Sequence, residues 1–122
     1  MKRTINTYQD LIVWQKSIEL VTIIYKQTRG FPSEEKFGII SQMRRCAVSI
    51  SSNIAEGHAR IGLKEFMHFL SILLGSVAEL ETQIIISKNL NFMDGNTSIH
   101  ILEKLNEINR IIHGLRQSLS KK

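Results

Sequence analysis

Two groupings in this 122-residue chain stand at spacings that could do chemistry: the pair Arg44-Arg45, and the pair Glu65-x-x-His68. Arginine presents a planar fork of donors suited to phosphate. With Arg60 and Lys64 around the following turn, Arg44 and Arg45 form the only basic concentration outside the chain ends. These four are the candidate nucleic-acid contacts, and an oligomer would multiply them. The competing use is ion pairing, with Arg45 reaching a carboxylate such as Glu79 or Glu81 on a neighbouring helix. Glu65 and His68 have the spacing by which di-iron bundles present two ligands on one helical face, but such sites require a second pair and two further glutamates. Here Glu103 is followed at that spacing by Asn106, and Glu107 by Arg110. No metal and no cofactor is therefore expected. His58, His68, His100 and His113 are scattered, none with a serine or cysteine spaced to form a nucleophile and base within one helix. Gly57 to Gly62 lacks the lysine and preceding strand of a phosphate loop. Catalysis is not expected.

The segment QMRRCAVSISSNIAEG, 42–57, carries more hydroxyl and amide groups than a core-filling helix needs. Ser49, Asn53 and Glu56 are spaced by four and three, which puts them on one helical face. Ser76, Glu79 and Gln83 are spaced by three and four and share a face in the same way. Buried polar groups must find partners, and a hydrogen-bonded layer can hold two helices in register. These six residues are read as such a structural layer, with contact between the two sets only partial.

Elements that could position these groups follow from the apolar periodicity. Leu11, Trp14, Ile18, Val21, Tyr25 and Thr28 recur at spacings of three and four, the mark of a helix burying one stripe. Ile39, Ile40, Met43, Ala47, Ile50 and Ile54 do so in a second helix, and Phe66, Phe69, Leu70, Leu73, Val77, Leu80 and Ile84 in a third. Leu102, Leu105, Ile108, Ile112, Leu115 and Leu119 mark a fourth. The predicted helices span 8–29, 34–56, 63–88 and 97–118, with basic flexible tails at 1–6 and 119–122. Thr7 and Asp10 make a capping-box-like start, Gly30 ends the first helix in the left-handed conformation, Ser33 caps the second, Gly57 closes it, and Asn96 or Thr97 caps the fourth. No strand-like alternation occurs. Four helices and three short connections read as an all-α, antiparallel up-down-up-down four-helix bundle in a single domain.

The third helix also carries Leu63, Met67, Ile72, Leu74, Ile85 and Ile86 off its main stripe. A helix apolar nearly all round must be covered on more than one side, which points to a subunit interface. Its His68, Glu79, Glu81 and Gln83 would be costly in lipid, so no membrane span is expected. The formal charge is +5. Lys2, Arg3, Lys121 and Lys122 hold most of that excess, leaving the body near neutral. No aromatic interleaving of the kind that stacks single strands accompanies Arg44 and Arg45 in the sequence. Cys46 is the one cysteine, so no internal disulfide forms, and it reads as a small buried apolar residue. Polar TINTYQD follows Lys2 and Arg3 where a signal peptide would be apolar, and a cytoplasmic location is expected.

The segments DLIVWQKSIELV, FPSEEKFGIISQMRRCAVSISSNIAEGHAR and KEFMHFLSILLGSVAELETQI, with the leucine-rich fourth helix, resemble the family of 23S ribosomal RNA intervening-sequence proteins. The resemblance runs from Asp10 to about Leu119, most specifically through QMRRCAVSISSNIAEG and GSVAELET. It implies an antiparallel four-helix bundle assembled as a homopentameric ring. It also implies kinship with the accessory variability protein of diversity-generating retroelements, which binds nucleic acid and the reverse transcriptase. Gly62 stands where the family often has serine or threonine before the third helix, which removes a cap. Together these readings describe a non-enzymatic homo-oligomer that binds RNA or DNA through Arg44, Arg45, Arg60 and Lys64. The alternative is an oligomeric scaffold for a protein partner, with no nucleic-acid role.

Overall fold

The computed structural model describes residues 7–121. Its helices are α1 (Ile12–Thr28), α2 (Ile39–Ala59), α3 (Leu63–Asn89) and α4 (Gly95–Ser120), and no strand occurs among the described residues. Consecutive helices pack side by side, and α4 returns against α1. The result is the antiparallel four-helix bundle that the periodicity predicts. Its core is aliphatic: Leu20 and Ile24, Met43, Ile50 and Ile54, Leu70, Leu73, Leu80 and Ile84, and Ile101, Leu105 and Ile108 are all but fully buried.

The helix ends depart from the expected bounds, each for a local reason. Thr7 and Asp10 do form a capping box, but it caps a single 3-10 turn, Tyr8–Asp10. Leu11 is extended, so α1 starts at Ile12. Gly30 does not adopt positive φ; its N–H donates to the Gln27 carbonyl and that of Phe31 to Thr28, which turns the chain without a left-handed residue. The left-handed residue is Asn91, φ 63°, after α3. There the Phe92 N–H donates to the Ser87 carbonyl and the Asn91 N–H to that of Lys88, a Schellman closure in which asparagine takes glycine's usual place.

Ser33 lies inside a second 3-10 turn, Ser33–Glu35, and provides no side-chain cap. Gly38, φ −105° and ψ −116°, then holds off the helix, so α2 begins at Ile39 rather than 34. Its other end runs past Gly57, which is buried inside the helix instead of terminating it. The fourth helix is capped by Asp94, whose Oδ1 accepts the Thr97 N–H at 2.7 Å, and not by Asn96 or Thr97. It continues to Ser120, so the expected tail at 119–122 is helical at its start. The expected tail at 1–6 lies outside the described residues, as does residue 122.

The buried face of α1 is also rotated from the expected one. Val13, Ser17, Leu20, Ile24 and Thr28 face the core, while Leu11, Trp14 and Val21 are half-buried and Ile18 and Tyr25 are exposed. Ser17 and Thr28 hide their polarity by donating to the carbonyls of Trp14, 2.6 Å, and Ile24, 2.7 Å. A hydroxyl satisfied by its own helix can be buried; the expected stripe included Thr28 but not Ser17. On α3, Leu70, Leu73, Val77, Leu80 and Ile84 are buried, Met67 and Leu74 are half-buried, and Leu63, Ile72, Ile85 and Ile86 remain exposed. By length and composition α3 could cross a membrane, with a mean hydropathy of 1.6 over an 18-residue window; within the bundle it packs between α2 and α4.

Candidate nucleic-acid interface and the polar seam

Where α2 and α3 run together, Gly57 sits against the aromatic start of α3. A Cβ built on it would lie 2.7 Å from Phe69 Cβ and 3.0 Å from Phe66 Cδ1, so the missing side chain is what lets the helices approach. Farther along the seam the Ser49 and Ser76 hydroxyls meet at 3.0 Å. Asn53 Nδ2 donates to the Ser49 carbonyl at 2.8 Å and to its Oγ at 3.0 Å. Glu56 is exposed and accepts from Arg60 Nη2 at 3.0 Å, outside this network. The structure thus brings together three of the six residues read as a polar layer, Ser49, Asn53 and Ser76, and leaves Glu56 apart.

Beyond Ser76 the seam opens into a cleft of about 340 Å³ lined by Gln42, Arg45, Cys46, Ser49, Ser76 and Glu79. Glu79 is exposed at its mouth. Gln83 is 6% exposed, and its Oε1 has no hydrogen-bond partner among the described residues. Burial pushes the Cys46 thiol up to about 11, reinforced by a hydrogen bond with Glu79 and that residue's charge, and only partly offset by Gln83 and Arg45. A thiol held protonated this far above neutral pH is a poor nucleophile. The arrangement is a polar packing seam around a thiol held protonated.

The four basic candidates fall into two places. Arg44 lies on α2 and Arg60 caps its C-terminal end sixteen positions later, about 24 Å away at the helical rise. Arg44 is folded against α1, with Nε donating to Thr28 Oγ1 at 2.9 Å, Nη2 to the Tyr25 carbonyl at 3.4 Å, and its guanidinium 4.5 Å over the Tyr25 ring. Arg45 is exposed and has no ion pair within 4.0 Å among the described residues, in contrast to Lys16, paired with Glu107, and Arg60, paired with Glu56. Arg60, besides pairing with Glu56, lies 5.3 Å over the Phe69 ring. Lys64 is exposed in the first turn of α3.

Around Arg44 and Arg45 the structure gathers side chains that the sequence reading left out. A groove of about 480 Å³ between the end of α1 and the start of α2 is lined by Tyr25, Lys36, Phe37, Arg44, Arg45 and Val48 among others, with no carboxylate in its wall. Phe37 is 88% exposed. The sequence signal was present in Lys36-Phe37, but those residues were placed inside the second helix and not on the turn beside Tyr25. Aromatic side chains do accompany these arginines, supplied by folding from another helix and a turn. Glu65 and His68 are both exposed, and no group of three or more His, Cys, Asp or Glu among the described residues is placed to hold a metal ion.

The chain is therefore a small antiparallel helical bundle, with a polar seam between α2 and α3 and a cationic groove at the α1–α2 end. It belongs to the 23S rRNA-intervening sequence protein family, whose model matches residues 9–114. Its fold is similar to that of a protein of unknown function from the S23 ribosomal protein family of Bacteroides thetaiotaomicron, solved by crystallography. That comparison has a TM-score of 0.81 and 23% identity, covering 87% of this chain and 96% of the other. No curated protein matches the sequence.

Proposed function

We propose that this protein is a non-enzymatic homo-oligomeric bundle that binds RNA through the groove at the α1–α2 end. The observation that supports the reading is one concave surface holding Lys36, Arg44 and Arg45 with no carboxylate in its wall. Phosphate binding needs cations that are not already neutralised, and Arg45 has no ion pair among the described residues. Arg44 acts partly by shaping the groove, since Thr28 and Tyr25 hold its guanidinium. Arg60 is a weaker contact because Glu56 shares its charge, and Lys64 lies with it at the far end of α2. Assembly into a ring would set several such grooves around one particle and raise avidity.

Exposed Leu63, Ile72, Ile85 and Ile86 on α3 support the oligomer, because so much apolar surface on one helix is stabilised by a covering partner. The same surface favours a second reading, an oligomeric scaffold for another protein. Fluorescence anisotropy with a structured RNA at low salt separates the two. RNA binding through phosphates weakens steeply as salt rises, and Arg45→Glu both weakens it and flattens the salt slope. Absence of a complex at low salt removes the RNA reading. A monomer by light scattering at micromolar concentration removes the oligomer.

A further inference from the structure

We infer that the α1–α2 groove takes an unpaired base of single-stranded nucleic acid, stacked on Phe37, and so distinguishes single strands from duplexes. The inference rests on the nucleic-acid reading above and adds the form of the ligand. Phe37 stands on the turn that precedes α2, 88% exposed, where an apolar ring makes no contribution to the core. Lys36 Nζ lies 5.6 Å from the centre of that ring, so a cation accompanies the aromatic face. Also lining the groove is the Arg44 guanidinium, 4.5 Å over Tyr25 and fixed there by Thr28. Its delocalised plane offers a second flat surface of the kind on which bases stack. Arg45, exposed in the same wall, is the group for the phosphate.

Charge alone does not select this ligand, because a duplex carries the denser array of phosphates and a purely cationic groove holds it at least as well. What a duplex cannot offer is a free base face, since its bases are stacked on each other. An exposed ring beside free cations therefore adds affinity only when the nucleic acid is unpaired, and every base has a face to offer, so the preference carries little sequence selectivity. The volume of about 480 Å³ falls within the range of small-ligand sites, enough for one base and its sugar-phosphate.

The test uses the full chain, an unstructured RNA of about 12 nucleotides, within the usual range of single-strand site sizes, and the duplex formed with its complement. Phe37→Ala lowers the ratio of single-strand to duplex affinity by about tenfold to a hundredfold, the worth of one stacked base. Phe37→Tyr keeps the ratio. Because Trp14 is the one tryptophan, Trp14→Phe with Phe37→Trp places a single reporter in the groove, and the single strand quenches it while the duplex does not. A wild-type ratio in Phe37→Ala, with Arg45→Glu still weakening both ligands, overturns the stacking inference and leaves the RNA reading standing. If the wild-type chain binds neither ligand, both are overturned.

Discussion

At the N-terminal end of α2, Arg45 is exposed beside Lys36 and Phe37, in a groove wall without a carboxylate. At the C-terminal end, Arg60 is bound to Glu56 at 3.0 Å and lies on Phe69, next to a glycine over which two helices close. Each end of the helix presents an arginine and an aromatic ring, yet only one presents them to solvent in a usable form. The C-terminal end spends its aromatic surface on packing α3 and matches its cation with a carboxylate one helical turn away. The N-terminal end follows a non-helical turn, Lys36 to Gly38, that cannot bury its side chains within α2. The difference shows that residue type marks a potential contact, and that local pairing decides whether the contact is available.

The comparison is broken or sharpened most strongly by reversing one charge at each end. Arg45→Glu is expected to lower RNA affinity about a hundredfold in an oligomer that repeats the groove, whereas Arg60→Glu lowers it by less than about tenfold. Equal losses in anisotropy titrations would mean that both ends bind. Next is Gly57→Ala, which drives a methyl into Phe69 and Phe66. Overpacking costs about 1 to 3 kcal/mol, offset in part by alanine's better helix propensity. Urea denaturation should show a lower midpoint, and an unchanged or higher midpoint would mean that α3 moves aside freely.

A smaller effect is expected at Cys46. Its thiol is pushed from 9.0 to about 11, so the folded chain holds that proton more tightly than the unfolded chain does. The resulting stabilisation is complete below about pH 9 and is lost as pH rises toward 11. Cys46→Ala should flatten the fall of melting temperature over that alkaline window, and an identical slope in both proteins would count against a buried thiol. Smallest is Arg60→Gln, which removes an exposed ion pair at i and i+4 and should cost only about 0.3 to 0.5 kcal/mol in the same urea measurement. A loss several times larger would make that end a structural clamp.

Much of the bundle was legible in the chain because burial of an aliphatic stripe imposes a helical period. The rows through Met43, Ala47, Ile50 and Ile54 and through Leu70, Leu73, Val77 and Leu80 are core in the structure. The rotation of α1 was not legible, because Ser17, which lies off the expected stripe, is buried with its hydroxyl satisfied by a carbonyl of its own helix. Gly57 read as a helix end, since nothing local distinguishes a terminating glycine from one that admits a neighbouring phenylalanine. The start of α2 was misplaced for a related reason. Glu34 and Glu35 suit the first turn of a helix, but the chain uses them in a 3-10 turn and resumes only after Gly38.

By itself the sequence determined the all-α class, the four helices, the polar positions on α2 and α3, and membership of the family, all carried by residue type and regular spacing. Tertiary structure decided which of those polar positions meet across helices, joining Ser49 to Ser76, while Glu56 keeps a local partner in Arg60. It also decided the standing of the arginines. Arg44 is drawn onto Tyr25 and Thr28 of α1, Arg60 onto Phe69 of α3, and Arg45 stays exposed beside a phenylalanine from the preceding turn. The physical reason is that a cation's availability depends on neighbours within a few ångströms, and most of those neighbours arrive from other elements when the helices pack.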